Sequence, residues 1–339
     1  MCAILLAGLA VTARAADAQR GSALIVTEEN DAFASLFGKD NQDRHYTQGL
    51  KFTYIADEKD FTWLSSRFTR WTPKFGLKNE SSNVGFTFGQ NVYTPLDKTS
   101  IAPVPNDRPY AGWLYGGVVF QRRGTTFNNI ETLDNYELDL GVVGPASLAA
   151  ESQRQWHRWT QVNLPAGWEN QLKNEPGFEL KYARYWRLTP NEKVGRYFDF
   201  IPHVGCSLGN INTLANMGVL FRLGYNLPQD FGPANNDGTA PTIAARRNDK
   251  TDWLSVYVYG GGEGRVVGHS IFLDGNTFAD SQSVHKSNPV GDIVFGFGIA
   301  AWQHVELNFT GVMRSNQFST QPGGTDCFGS ITLKAIFGI

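Results

Sequence analysis

Residues 134–142 have the sequence Asp134-Asn135-Tyr136-Glu137-Leu138-Asp139-Leu140-Gly141-Val142. Apolar side chains occupy alternate positions from Tyr136, and the acidic Glu137 and Asp139 lie between them. Successive side chains of a β-strand point to opposite faces, so the segment predicts a strand with one apolar and one charged face. A barrel wall between lipid and a polar lumen needs such strands, and so does the surface of a soluble sandwich.

The same alternation recurs along the chain, for example in residues 178–186, 304–313 and 330–339. It predicts strands at 22–28, 45–55, 84–91, 112–122, 134–142, 177–188, 197–208, 213–224, 253–267, 291–301, 304–314 and 328–338. Bacterial single-chain barrels have an even number of strands. We therefore predict an all-β fold, a transmembrane antiparallel β-barrel of about 12 strands that forms one domain over residues 16–339.

Composition favours this interpretation. Of 339 residues 36 are Gly and 13% are aromatic, whereas only 18% are charged, against about 25% in an ordinary soluble domain. No apolar run after the first residues reaches the ~20 that a transmembrane helix needs. The net charge of −2 argues against nucleic acid as a partner. Beyond Cys2 there are only Cys206 and Cys327, too few for a Cys-based metal cluster.

The first residues resemble a signal peptide. An apolar run from Ala3 to Val11 ends in Ala13-Arg14-Ala15, a pattern typical of a cleavage site, although the usual basic residues before the run are missing. We expect residues 1–15 to be removed on export and the rest to lie in the bacterial outer membrane.

A periplasmic start of the first strand places three connections outside the cell: 29–44, 92–111 and 143–176. The same topology makes 56–83 and 225–252 long periplasmic connections, where short turns are the rule, so a strand pair there is expected to be misplaced. Within 143–176, residues 148–162 lack Gly and Pro and predict the only convincing helix, with Ser147 as N-cap.

The chemically interesting residues of these loops also have ordinary structural interpretations. Asn30-Asp31 offers the oxygen ligands that Ca²⁺ takes, or simply a turn. His157 is a candidate general base, or a packing residue among tryptophans. Gln153, one helical turn before it, shares its face and is placed to orient it.

Two further residues complete the candidate set. Thr47 is a candidate hydrogen-bond donor or an ordinary strand residue, and Lys98 a candidate for stabilising negative charge or a solvated lysine. Arg44 and Arg108 are interpreted as loop anchors, with phosphate binding as the alternative. No Gly-x-Ser-x-Gly elbow is present in the sequence, which disfavours a serine hydrolase.

An ordered series of motifs resembles the outer-membrane lipid A 3′-O-deacylase family, and it covers most of the first half of the chain. The motifs are Asn30-Asp31, Asp43-Arg44-x-Tyr46-Thr47-x-Gly49, Gln90-Asn91-x-Tyr93-Thr94-Pro95, Asp107-Arg108-Pro109-Tyr110-Ala111-Gly112-Trp113-Leu114-Tyr115, Gly141-x-Val143-Gly144-Pro145 with Gln153 and His157, Gly167-Trp168-x-Asn170-Gln171-Leu172, and Glu175-Pro176.

The resemblance implies a twelve-stranded barrel that removes the 3′ acyloxyacyl chain of lipid A in a Ca²⁺-dependent ester hydrolysis. It implies that Asp31 helps to hold Ca²⁺ and that Asn30 shapes that site. It further implies that His157 activates water, with Gln153, Thr47 and Lys98 in support. The partners expected from it are lipopolysaccharide and outer-membrane lipids.

Three other functions remain open from the sequence. A passive porin or adhesin barrel would conduct ions or bind through its loops and would ignore Ca²⁺ removal. A serine-type outer-membrane phospholipase would react with phosphonates. A soluble β-protein would stay in solution when membranes are removed.

Overall fold

The computed structural model describes residues 21–37, 44–189, 192–234, 236, 253–302, 304–322 and 324–338. The predicted signal peptide, residues 1–15, and Asp43 lie outside the described residues. The strands are β1 (Ser22–Asn30), β2 (His45–Ile55), β3 (Lys78–Thr94), β4 (Ala111–Thr125), β5 (Glu131–Val143), β6 (Glu175–Arg187), β7 (Phe198–Gly209), β8 (Asn212–Tyr225), β9 (Leu254–Ser270), β10 (Val290–Ala301), β11 (Val305–Arg314) and β12 (Asp326–Phe337). The helices are α1 (Thr62–Trp71), α2 (Ala149–Thr160), α3 (Glu192–Gly195) and α4 (Ile271–Asp274).

The twelve strands of the described residues form one closed antiparallel barrel. Each strand pairs with its neighbours in sequence, and β1 pairs with β12. This confirms the predicted fold class. The largest difference is at β3, which begins at Lys78 rather than at residue 84, because residues 78–83 are all polar and show no alternation to detect.

The two faces of β5 meet different surroundings, as the sequence predicts. Leu138 and Leu140 point outward and are 40% and 57% exposed. On the lumenal face, Glu137 accepts a hydrogen bond from Lys51 at 2.7 Å, while Lys181 Nζ donates to Asp139 Oδ2 at 2.8 Å. The charged face of the strand therefore lines an interior filled with paired charges.

We call the end of the barrel at which β1 begins the periplasmic end. The connection from β2 to β3 contains α1 there and folds back over the outside of the wall. Phe68 of α1 stacks on Phe120 of β4, with ring centroids 5.3 Å apart, and Tyr136, on the outward face of β5, donates to the carbonyl of Pro73 at 3.1 Å. Because α1 is present in addition to the helix expected at residues 148–162, the prediction of a single helix was wrong.

Residues 226–234 and 236, the described part of the connection from β8 to β9, enter the lumen. Asp230 is fully buried, accepts a hydrogen bond from Lys334 Nζ at 3.0 Å and pairs with Arg222. Further along, Asn236 Nδ2 donates to backbone carbonyls of β1 and β2. The expectation of a misplaced strand pair was wrong: the connection with α1 covers the wall, and the described residues of the connection from β8 to β9 fill the barrel, neither adding a strand.

Helix α2 confirms the predicted helix of the 143–176 connection, but its N-terminus differs. Ser147 is not the N-cap: Leu148 precedes the helix in a left-handed conformation with φ 60°, and the Ser147 hydroxyl donates to the Gly144 carbonyl at 2.6 Å. No helix in the described part of the chain is long and apolar enough to cross a membrane.

Candidate active site

The outer face of the wall is polar at the extracellular ends of β1 and β2. Glu28 and Asn30 lie on the same face of β1 as Leu24, which is 42% exposed, and Gln48 shares its face with the exposed Phe52. Asn30 pairs with Gln48, whose Nε2 donates to Glu28 Oε1 at 3.0 Å. Polar groups on a lipid-facing wall are unfavourable, so their concentration here indicates a site.

Thr47 belongs to the same surface because of a β-bulge. The register of β2 against β3 shifts between Tyr46 and Gln48, which makes Thr47 the extra residue, and its Oγ1 lies 2.7 Å from Thr94 Oγ1. A bulge re-aims a side chain locally. We call Glu28, Asn30, Thr47 and Gln48 the outer-wall strip.

Two helical segments border the outer-wall strip. On one side the 3₁₀ segment Asp31–Phe37 packs on the outward face of β12, where a Cβ on Gly329 would lie only 2.5 Å from the Phe33 Cβ. On the other side Ala149 of α2 packs with Val92 of β3. The strip therefore forms the floor of a cleft, and Asp31 lies at its edge.

The approach of α2 to the wall requires a glycine at position 112. A Cβ on Gly112 would lie 2.1 Å from Ser147 Oγ and 2.3 Å from the Ala149 Cβ. Gln90 fixes the same contact by donating from Nε2 to the Ser147 carbonyl at 2.6 Å. The position of α2 therefore depends on the strand beneath it.

Gln153 and His157, the two sequence-predicted residues of α2, are 1% and 3% exposed. Trp168 Nε1 donates to Gln153 Oε1 at 2.7 Å, and the buried Gln153 Nε2 has no hydrogen-bond partner among the described residues. His157 Nδ1 lies 2.5 Å from the carbonyl oxygen of Asn163. A carbonyl only accepts, so Nδ1 donates and Nε2 is the nitrogen that can take a proton.

Lys98 is half-buried in the loop between β3 and β4. Its carbonyl accepts a hydrogen bond from the Ala166 amide at 2.8 Å, which ties its loop to the segment after α2. Thr94, the partner of Thr47, ends the strand that leads into this loop. The Lys98 loop is thus tied by its backbone to the segment after α2, and it follows directly on the strand that bonds to Thr47.

Arg44 and Arg108 lie in loop-anchoring contacts. Arg44 Nε donates to Asp326 Oδ1 at 3.2 Å. Arg108 NH1 donates to Gln317 Oε1 at 3.1 Å, and its guanidinium lies 4.6 Å from the centre of the Tyr93 ring. Arg44 therefore joins its loop to the start of β12, and Arg108 joins its loop to the loop between β11 and β12.

Sequence reasoning missed His45, which is fully buried behind the site. Its Nδ1 lies 2.7 Å from Asp326 Oδ1, and its Nε2 lies 3.4 Å from Asp107 Oδ1. Burial alone would raise the pKa of Asp107, but His45 and the backbone N–H groups of Leu96 and Arg108 hold that pKa below its ordinary value. No local pattern pointed to His45, because its carboxylate partners come from distant segments.

Asn30 and Asp31, at the edge of the cleft, could hold a hard cation such as Ca²⁺ only as part of a mixed set of oxygen ligands. Among the described residues no three His, Cys, Asp or Glu side chains form a metal-binding group. Asp31 provides one carboxylate and is 3% exposed, and the neighbouring side-chain oxygen Asn30 Oδ1 accepts a hydrogen bond from the Ala32 amide at 2.9 Å. Ca²⁺ accepts such mixtures of carboxylate, carbonyl and water oxygens.

A family model described as "Outer membrane protein LpxR" matches residues 1–337. The chain belongs to the LpxR family. This confirms the resemblance seen in the motifs of the first half and places the protein in the bacterial outer membrane. Among curated proteins no sequence matches.

Solved structures were found to be similar to this chain, and a Salmonella protein among them shows the same fold. LpxR from Salmonella typhimurium matches with a TM-score of 0.70 and 21% identity, covering 93% of this chain and 100% of that one. The β domain of the Bordetella autotransporter BrkA matches with a TM-score of 0.44 and 7% identity, covering 95% of this chain and 100% of that one.

Proposed function

We propose that this LpxR-family protein is a lipid A 3′-O-deacylase that hydrolyses the 3′-linked acyloxyacyl ester in a Ca²⁺-dependent reaction. Family membership supports lipid A as the substrate class. The observation that carries the proposal is the burial of Gln153 and His157 in a helix docked beside a polar strip on the membrane-facing wall. A lipid anchored in the outer leaflet reaches such a cleft sideways.

His157 is the proposed general base. With Nδ1 held by the Asn163 carbonyl, Nε2 takes a proton from water as the water oxygen bonds to the acyl carbon. The bond between that carbon and the sugar 3′ oxygen then breaks, and the imidazolium returns the proton to the leaving oxygen. Hydrolysis thus yields the free acyloxyacyl carboxylic acid, with its secondary ester intact, and a sugar hydroxyl.

The other predicted residues support this reaction. Ca²⁺, held by Asp31 at a site that Asn30 shapes, would polarise the ester carbonyl. The Gln153 amide hydrogens are available to orient water or substrate, since only its oxygen is used by Trp168. Thr47 offers a hydroxyl at the bulge, and Lys98 supplies a positive charge toward a developing oxyanion.

Mass spectrometry of lipid A after incubation with the detergent-purified protein tests the proposal. One sample contains Ca²⁺ and a matched sample contains a chelator. Loss of a single acyloxyacyl group only with Ca²⁺ is the expected result. An unchanged lipid A mass with demonstrably folded protein would refute it in favour of a binding or channel barrel.

A further inference from the structure

Charged side chains lie on the outward face of the wall near the periplasmic end. Asp134 and Arg184 occupy outward positions of β5 and β6, and Arg184 Nε donates to Asp134 Oδ1 at 2.7 Å. Arg122 occupies an outward position of β4 and is fully buried. Charges on a lipid-facing wall are unfavourable, so they need a cover, and the connection that contains α1 provides it.

The cover is attached by its C-terminal half. Arg122 NH1 donates to the Pro73 carbonyl at 3.2 Å and Arg122 NH2 to the Thr69 carbonyl at 3.4 Å. Arg184 NH1 donates to the Phe75 carbonyl at 3.0 Å. Cations at the end of a helix also interact favourably with its dipole. These contacts fix which face of α1 meets the wall and which face points away.

The face that points away is aromatic and cationic. Trp63 is 60% and Trp71 84% exposed, and Arg67 and Arg70 are exposed beside them. The Arg67 guanidinium lies 5.6 Å from the centre of the Trp63 ring. Among the described residues neither arginine forms an ion pair with a carboxylate. We call Trp63, Arg67, Arg70 and Trp71 the α1 outer face.

The position of α1 relative to the apolar band of the barrel is fixed by Tyr136. Its hydroxyl donates to the Pro73 carbonyl, and two residues further toward the extracellular end Leu138 is exposed. Two strand residues span about 7 Å. The helix therefore lies at the periplasmic border of the apolar band, where tryptophans anchor membrane proteins and amphipathic helices lie in the interface.

We propose that the α1 outer face binds the headgroup phosphate of an anionic glycerophospholipid in the inner leaflet of the outer membrane. Arg67 and Arg70 meet the phosphate, and Trp63 and Trp71 insert at the level of the lipid glycerol. This site is separate from the outer-wall strip and does not depend on the proposed hydrolysis. It gives the barrel a lipid contact on the leaflet opposite the one that holds lipid A.

Native mass spectrometry of the full folded chain tests this site. The protein in a nonionic detergent is mixed with equal amounts of phosphatidylglycerol and phosphatidylcholine that carry the same acyl chains, and the retained lipids are counted. The double variant R67Q/R70Q removes both charges, and R67K/R70K keeps them. Lys193 is an exposed cation of α3, also at the periplasmic end, so K193Q is the matched control. Heat-modified migration in electrophoresis shows that each barrel is folded.

We expect preferential retention of phosphatidylglycerol by the wild type and by K193Q, with a fall of about tenfold or more in R67Q/R70Q and largely preserved retention in R67K/R70K. Equal retention of both lipids by the wild type would overturn the proposal and favour a periplasmic protein as the partner of the α1 outer face. Undiminished phosphatidylglycerol retention in R67Q/R70Q would overturn it as well. A second measurement uses brominated phosphatidylglycerol, whose quenching of tryptophan fluorescence should fall in Trp71→Phe; unchanged quenching would contradict the insertion of Trp71.

Discussion

Replacing Gly112 by alanine should displace α2 without breaking the barrel. The added Cβ would lie 2.3 Å from the Ala149 Cβ, whereas carbon atoms in contact lie about 3.5 Å apart or more. The helix must therefore move away from β4 by about 1.2 Å. Overpacking of this kind costs about 1–3 kcal/mol of folding stability.

The larger effect should be on turnover, because α2 holds Gln153 and His157. Misplacement of catalytic groups by 1 Å costs roughly 10²-fold in rate, so we expect kcat on lipid A to fall by about two orders of magnitude. The assay is the rate of deacylated lipid A formation measured by mass spectrometry, normalised to folded barrel.

Gly116→Ala is the matched control for this prediction. Gly116 is on the same strand and the same face, but the nearest atom to an added Cβ there is the Thr87 carbonyl oxygen at 3.7 Å, an ordinary contact. Its activity should remain close to that of the wild type. Wild-type turnover in Gly112→Ala, or equal losses in both variants, would refute the idea that this glycine sets the position of the helix.

Three further predictions follow from single contacts. Thr47→Val and Thr94→Val break the same hydrogen bond, worth about 1 kcal/mol. A greater kcat loss in Thr47→Val than in Thr94→Val would show a direct role of the Thr47 hydroxyl, whereas equal losses would limit that hydroxyl to holding the bulge. Asp230→Asn should destabilise the barrel by about 3 kcal/mol, seen as a lower temperature of heat modification, since two buried cations lose a charged partner; an unchanged temperature would contradict this. The lowered pKa of Asp107 means that its contribution to stability is present above the ordinary aspartate value of 3.8 and is lost as pH falls through the lower folded value. In the wild type, proteolysis of the loop that contains Asp107 should therefore rise only in strong acid. In Asp107→Asn it should be high already at neutral pH. Equal resistance of wild type and variant would argue against the buried contact with His45.

The barrel was predictable because lipid and lumen impose opposite polarity on neighbouring residues. Leu138 and Glu137 show this directly, since one is exposed outside and the other is paired with a lysine inside. Helix α1 was not predictable in the same way. The carbonyl groups at its C-terminal end and just after it accept hydrogen bonds from Arg122 and Arg184. These outward charges come from strands far along the chain, so no local pattern near α1 indicates them.

The candidate site likewise contains residues that local sequence predicts and residues that it does not. Gln153 and His157 are one helical turn apart, so their shared face follows from local geometry. The bulge at Thr47 depends on the pairing of β2 with β3, and the contact of His45 with Asp326 joins residues 281 positions apart. Such contacts are set by closure of the barrel, which brings β12 beside β1.

Tandem mass spectrometry of lipid A treated with wild-type protein, His157→Ala and Gln155→Ala tests the central claim most directly. Gln155 is an exposed residue of the same helix, so its variant controls for disturbance of α2. We predict loss of the 3′ acyloxyacyl group with the wild type and Gln155→Ala, and a rate lower by at least about 10²-fold with folded His157→Ala. Deacylation at the wild-type rate by folded His157→Ala, or loss of an acyl chain from another position, would contradict the account.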